Sequence, residues 1–174
     1  MSAARQSILT PSTATIPLTR GKVAIVDVED FEKLSHFKWY AHKGRNGNFY
    51  AYRRASHNGR MISMHGAVSG PGLVDHKDRD GLNNRRENLR PCTNSQNCAN
   101  AVRPKRSKSK YRGVYPSNGK TSTWKVSITY KNKQLHLGCY SSRIEAAKIY
   151  DNAALGLFGE FAVTNFPETR KLRS

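Results

Sequence analysis

The amino-acid sequence predicts an α+β fold: a small antiparallel sheet leading into a short hairpin and helix, then a three-stranded antiparallel sheet packed on one helix. Three observations carry this expectation. Segments rich in aromatic and β-branched residues in the first half are separated by Asn46-Gly47 and Asn58-Gly59, both strong turn signals. Residues 124–130 alternate apolar and polar, the period of a strand with one solvated face. Residues 142–159 carry an apolar stripe at helical spacing between a capping sequence and a glycine stop.

Taken in order, residues 1–14 are rich in Ser, Thr and Ala without periodicity and read as a disordered tail. Residues 22–28 (KVAIVDV) form a β-branched run expected to be a strand, after which Asp27 or Asp30 can cap a short helix through Phe31 and Leu34. Segments around Trp39-Tyr40, residues 49–52 and residues 61–65 complete the small sheet. A helix is expected to start around Thr93. The first domain is therefore expected over residues 15–100. Residues 101–112 (AVRPKRSKSKYR) hold six basic and no acidic residues, which marks residues 101–110 as a basic linker. Beyond it, residues 111–115, 123–130 and 133–140 read as three strands. A capping box at Ser142-Arg-Ile-Glu145 then opens a helix lined by Ala146, Tyr150, Ala153, Ala154 and Leu157, which stops at Gly159. This second domain is expected over residues 111–168, with a basic tail at 169–174.

Charge narrows the partners. The 174 residues include 30 Lys+Arg against 12 Asp+Glu, a formal net charge of +18. Such a surface repels itself and calls for a polyanion, nucleic acid first. Residues 1–100 hold 15 basic and 8 acidic residues (+7), residues 101–174 hold 15 and 4 (+11), so the C-terminal part is the stronger source of phosphate affinity. No apolar run is long enough to span a bilayer and the N-terminus has no apolar signal core, so a cytoplasmic protein without a membrane partner is expected. Three cysteines, Cys92, Cys98 and Cys139, with no C-x-x-C pair, argue against a disulfide framework or a four-cysteine zinc site. Zinc held by Cys92, Cys98 and His65 is disfavoured for the same reason, and Cys92 and Cys98 read as small core residues.

The chemistry-bearing stretch runs from His65 to Asn100. Asp75 and His76 follow the apolar pair Leu73-Val74, and in a strand neighbouring side chains point to opposite faces, so the two can serve different tasks. The carboxylate offers oxygen to a hard divalent cation, and the imidazole can take a proton from water. Asn97, on the helix expected from Thr93, could supply a second hard ligand. This set suits phosphodiester hydrolysis, which needs an activated water, charge stabilisation on phosphorus oxygens and help for the leaving 3′ oxygen. Taken singly, Asp80-Gly81 and Asn83-Asn84 are ordinary loop formers; the joint pattern is what carries the reading.

The pattern resembles the HNH, or ββα-metal, nucleases, particularly those of phages and self-splicing introns. The matching elements are the Asp-His pair at 75–76, the Asn-Asn-Arg-Arg-Glu-Asn-Leu-Arg run at 83–90 and Asn97, in order and spacing. The resemblance implies that His76 is the general base and that Asp75 and Asn97 are ligands of one divalent cation per site, Mg²⁺ first with Mn²⁺ as the alternative. It implies that Asn88 holds either His76 or the hairpin loop. His65 matches a supporting position on the strand before the site, where the family usually has Arg next; Gly66 stands there instead.

Residues 111–167 are similar to APETALA-type (ethylene-response-factor-type) DNA-binding domains. The similarity lies in Tyr-Arg-Gly-Val at 111–114, Trp124 with Ile128, and Leu-Gly-Cys-Tyr at 137–140. It continues in Glu-Ala-Ala at 145–147, Tyr-Asp-Asn-Ala-Ala at 150–154, Gly159 and Asn-Phe-Pro at 165–167. In that family the sheet lies in the major groove of duplex DNA, which a sheet fits as a helix does. Arg112 matches a DNA-contact position, whereas the other base-reading positions fall near Tyr115, Ser117, Gly119, Thr129, Gln134 and His136, which are different residue types. Lys120, Lys125, Lys131 and Lys133 are candidate phosphate contacts on or beside the solvated strand face.

Two functions follow. The first is a metal-dependent DNA endonuclease of homing or phage-accessory kind, in a bacterial or phage-infected cell, acting on double-stranded DNA rather than on a small molecule. The second is a DNA-binding regulator with an inactive nuclease fold. RNA binding has less support, since no RNP-like aromatic motif is present.

Overall fold

Strand β1 (Thr13–Pro17) pairs antiparallel with β2 (Val23–Asp27), with Thr13 opposite Asp27 and Pro17 opposite Val23. The expected tail to residue 14 is thus shortened: Thr13 and Ala14 are strand residues because β2 offers them a ladder to complete. The computed structural model describes residues 12–44, 47–55, 59–101, 109–117 and 123–168. Residues 1–11, Asn46, Asn58, most of the basic linker, Lys120 and the basic tail lie outside them. The chain divides into two units, Met1–Arg90 and Pro91–Ser174, so the division falls ten residues before the expected one at 100.

In the first unit, β2 runs into α1 (Val28–Ser35). Asp27 occupies the N-cap position but makes no cap bond; its carboxylate instead accepts the backbone N–H of Arg86 at 2.8 Å. Asp30, on the inner face of α1, takes a two-pronged hydrogen bond from the Arg86 guanidinium at 2.6 and 2.8 Å. Trp39 is buried after the helix, with its indole N–H donating to the Leu34 carbonyl at 2.8 Å. Strands β3 (Tyr40–Lys43), β4 (Phe49–Arg54) and β5 (Met61–Ser63) then form an antiparallel sheet in that order. The strand expected over residues 61–65 ends at Ser63. Its Oγ accepts the N–H of Gly66 and starts helix α2 (Met64–Ser69), so His65 sits on a helix and not on a strand.

Strand β6 (Val74–His76) pairs with β7 (Leu89–Pro91). The loop between them docks on β2: Ile25 N–H donates to Leu82 O at 2.9 Å, and Asn84 N–H donates to Ile25 O at 2.7 Å. Below these elements lies a core of Ala24, Val26, Leu34, Trp39, Ala51 and Met64, joined by neighbours from β1 to β7.

The second unit contains α3 (Asn94–Asn100), a sheet of β8 (Val114–Pro116), β9 (Trp124–Tyr130) and β10 (Lys133–Tyr140) in the order β10-β9-β8, and α4 (Arg143–Phe158). Val126 and Ile128 of β9 face Ala146, Ala147, Tyr150 and Ala154 of α4, as the two periodicities predict. Ser142 caps α4 by accepting the Glu145 N–H. Asp151 is fully buried and accepts the N–H groups of Asn165 and Phe166 and the Asn165 side-chain amide, which ties the chain after α4 back onto the helix. Burial pushes the Asp151 carboxyl above its ordinary range, against the pull of those same donors. Cys92 packs against this core, whereas Cys98 is exposed, contrary to its expected core position. No helix among the described residues is long and apolar enough to cross a membrane.

Strand β8 begins later than expected because Gly113 turns the chain at φ +73°. A Cβ on Gly113 would lie 1.9 Å from the Tyr150 ring, so the helix and the turn approach more closely than any side chain permits. Gly113→Ala combines positive-φ strain with overpacking and is expected to cost on the order of 2–4 kcal/mol, measured by urea unfolding of the full chain. An unchanged midpoint would contradict that packing.

Candidate active site

Strand alternation sends Asp75 and His76, both buried, into two different surroundings. Asp75 meets Arg90 of β7: the guanidinium Nε and Nη2 both donate to one carboxylate oxygen, Oδ2, at 3.0 and 2.8 Å. The two side chains are only 6% and 9% exposed, so each charge needs the other.

His76 enters an aromatic enclosure. Its ring lies edge-on to His65 of α2, with centroids 5.3 Å apart, and to Tyr50 of β4 at 5.9 Å. Tyr50 and Tyr52, two residues apart on β4 and therefore on one face, both also contact His65 at 6.4 Å. Gly81 of the loop lets Tyr50 lie flush: a Cβ there would sit 2.4 Å from the tyrosine ring. Burial lowers the proton affinity of His76 below the ordinary histidine value. The Asn84 amide and the Asp78, Asp75 and Asp80 carboxylates oppose this without overcoming it. Asn84 is itself fully buried; its Nδ2 donates to Leu82 O, and its Oδ1 makes no hydrogen bond of strict geometry.

The loop between β6 and β7 is held from inside by amides. Asn88 donates from Nδ2 to Asp78 Oδ1 at 2.9 Å and to Asn83 O at 2.8 Å, and its Oδ1 accepts the Asp78 N–H at 3.1 Å. Its backbone carbonyl accepts the Lys77 N–H at 2.9 Å. Asn83 Nδ2 adds a 2.7 Å bond to Asp78 Oδ2, and Asp80 N–H one of 2.8 Å to Oδ1. Burial opposes ionisation of Asp78, but these donors together with His76 outweigh it and hold the carboxyl below its usual range. Of the two tasks left open for Asn88, its hydrogen bonds are with the loop.

The remaining expected residues belong to the second unit. Asn97 is half-buried on α3, in the second unit, where its N–H donates to Thr93 O and its carbonyl accepts from Ala101. Thr93 and Gln96 form a complete capping box at the start of that helix. Arg112 does not present a free guanidinium: Nε donates to Tyr150 Oη at 3.0 Å, Nη1 to Ala101 O at 3.1 Å and Nη2 to Cys98 O at 3.0 Å. Lys125, Lys131 and Lys133 are exposed on or beside β9 and β10. Asn84 and Arg90 lie in the matched run at 83–90 but carried no role of their own, and Tyr50 and Tyr52 carried none beyond their two-residue spacing on one strand.

The candidate site thus consists of an Asp-His pair at the end of β6, the paired strand β7 and an amide-clamped loop between them. A model of the HNH endonuclease family matches residues 57–99, a span that crosses Arg90 and reaches Ala99 on α3. An uncharacterized HNH endonuclease of Acanthamoeba polyphaga mimivirus is 31% identical over 154 residues, covering 84% of this chain and 76% of that protein. The chain belongs to the HNH endonuclease family. Shorter matches join it to plant regulators. An ethylene-responsive transcription factor-like protein of Arabidopsis thaliana is 51% identical over 43 residues, 25% of this chain and 18% of its own length. An AP2-like ethylene-responsive transcription factor of the same plant is 45% identical over 69 residues, 37% of this chain and 19% of its own length.

His65 gives a test of the enclosure. Burial, with the nearby His76, pushes its pKa from 6.5 down to about 4, and its Nδ1 is buried with no hydrogen-bond partner among the described residues. A histidine kept neutral by the fold stabilises fully above the unfolded-state pKa, and that contribution is lost as pH falls from about 6.5 towards 4, because the unfolded chain takes up the proton first. Urea unfolding from pH 7.5 to 4.5 is therefore expected to show falling stability on acidification. His65→Phe should flatten that slope in part, leaving the share due to His76. A slope identical in both proteins would contradict a neutral, enclosed His65.

Proposed function

We propose that this protein is a metal-dependent DNA endonuclease of homing or phage-accessory kind, hydrolysing phosphodiester bonds at Asp75, His76 and Asn97 and finding DNA with its C-terminal sheet. The observation that carries the reading is the split surroundings of Asp75 and His76: a carboxylate fixed by Arg90 on one side of β6, and a desolvated imidazole in an aromatic enclosure on the other. Desolvation favours the neutral ring, which has the lone pair that a general base requires.

The donor set suits a hard divalent cation. Asp75 and Asn97 offer oxygen, and among the described residues no three His, Cys, Asp or Glu side chains gather into a cage of their own. Mg²⁺ is commonly held in this sparse way, with water and substrate phosphate completing its shell, and Mn²⁺ accepts the same oxygens. When bound, the cation supplies charge stabilisation at the phosphorus oxygens and at the leaving 3′ oxygen. The protein's own groups do the rest. Arg90 keeps the Asp75 carboxylate in one orientation. His76 accepts the proton of the attacking water, and Asn88 keeps the loop after His76 closed so that the ring does not drift.

Binding of duplex DNA is assigned to the C-terminal module on its similarity to ethylene-response-factor-type domains and on its charge. Lys125, Lys131 and Lys133 are the phosphate contacts proposed among the described residues, with Lys120 proposed from the sequence. Arg112 is left out of this set because its guanidinium is bonded within the protein.

His76→Ala is expected to lower DNA cleavage by about 10²–10⁴-fold while leaving gel-shift affinity for the same duplex unchanged. Supercoiled plasmid incubated with Mg²⁺ or with chelator gives the readout. Cleavage by the mutant at the wild-type rate would refute His76 as the base. Binding by the wild-type protein without any cation-dependent cutting would leave a DNA-binding protein with an inactive nuclease fold.

A further inference from the structure

We infer that Arg112 is a positioning residue for the cation site: together with the β9–β10 turn it fixes α3, the helix that carries Asn97, to the C-terminal sheet module. The inference rests on the reading of Asn97 as a metal ligand and deepens it.

Helix α3 has seven residues, too few to hold its shape alone in water. Among the described residues, attachments within the second unit contribute to its order. Along its inner side, Ala99 is buried in the core that Val126, Ile128, Tyr150 and Phe158 also build. Near its start, the Ser95 hydroxyl accepts the backbone N–H of Lys131 at 3.1 Å. Lys131 and Asn132 both have positive φ, 48° and 63°, and make the two-residue turn that joins β9 to β10. At its end, carbonyls that no helical N–H can reach are taken by Arg112, which donates to Cys98 O and Ala101 O. A cation placed there also suits the helix dipole.

Arg112 is in turn held rigidly. Its Nε donates to the Tyr150 hydroxyl, its backbone N–H to Asn165 Oδ1 at 2.6 Å, and its carbonyl accepts from Asn165 Nδ2 at 3.2 Å. Asn165 is itself anchored on the buried Asp151. The position that the family resemblance would turn towards DNA is turned inward, to a helix that an isolated sheet module would lack. Asn97 stands between Ser95 and Cys98, two of the residues through which the module grips α3.

The fork geometry matters as much as the charge. Lysine at 112 would keep the cation but could not reach three acceptors in one plane. Arg112→Lys is therefore expected to raise backbone amide exchange across residues 97–101. It should also weaken Mn²⁺ binding to the full chain, followed by electron paramagnetic resonance, by about 10–100-fold, as loss of an outer-shell partner commonly does. Gel-shift affinity for duplex DNA with Ca²⁺ present should stay at the wild-type value. Ser95→Ala, which removes a single exposed hydrogen bond, should shift Mn²⁺ binding in the same direction by less and covers the case in which Arg112→Lys fails to fold. Weaker DNA binding with unchanged Mn²⁺ affinity in Arg112→Lys would make Arg112 a DNA contact and overturn the inference. Unchanged Mn²⁺ affinity in Asn97→Ala would instead remove Asn97 from the metal site and overturn the underlying reading.

Discussion

The ion pair between Asp75 and Arg90 is the constraint on which the candidate site depends. A carboxylate taken out of water is costly unless a partner meets it in good geometry, and removing one member of such a pair costs about 3–5 kcal/mol. Arg90 meets Asp75 with two donors on one oxygen. Because β6 is a strand, fixing Asp75 on one face fixes His76 on the other, against His65 and Tyr50. One electrostatic contact therefore decides the direction of two candidate site side chains. The amide clamp of Asn88 on Asp78 and Asn83 ties down the loop that follows His76.

The sequence was legible where periodicity is local. The apolar residues of β9, the apolar stripe of α4 and the cap of α3 at Thr93 are where the pattern puts them, while Ser127, expected on the solvated face of β9, is buried. It was less legible where a partner is distant. Thr13 and Ala14 look like tail until β2 pairs with them. Helix α2 is six residues long, too short to show a helical period, and only Ser63 ahead of it hints at a start. Asp30 and Arg86 lie 56 positions apart, and nothing in either segment announces the other.

The candidate site divides in the same way. Asp75, His76, Asn88 and Asn97 were readable because a spaced motif carries them. Arg90 belongs to that motif, yet its partner became visible only with the two strands paired. Arg112 shows the opposite hazard. A scaffold match placed it by family position, whereas its acceptors are backbone carbonyls of Cys98 and Ala101, groups every residue has and no sequence marks. The unit boundary between Arg90 and Pro91 follows from such contacts, since α3 joins the core of the sheet module.

Charge completes the picture. The excess of basic residues is larger beyond residue 100, +11 against +7 before it, and the described lysines of β9 and β10 are exposed. Four of the twelve acidic residues, Asp27, Glu29, Asp30 and Glu32, gather at the start of α1, and Asp78 and Asp80 of the β6–β7 loop are occupied by hydrogen bonds. The proposed cation site requires Asp75 and Asn97 to share one ion at a DNA phosphate. Anomalous scattering from crystals of the full chain grown with duplex DNA and Mn²⁺ tests this most directly. The expected result is one Mn²⁺ with an Asp75 carboxylate oxygen and the Asn97 amide oxygen each at roughly 2.1–2.2 Å, the distance of small octahedral cations. An ion bound elsewhere, or Asp75 and Asn97 too far apart to reach the same one, would contradict it.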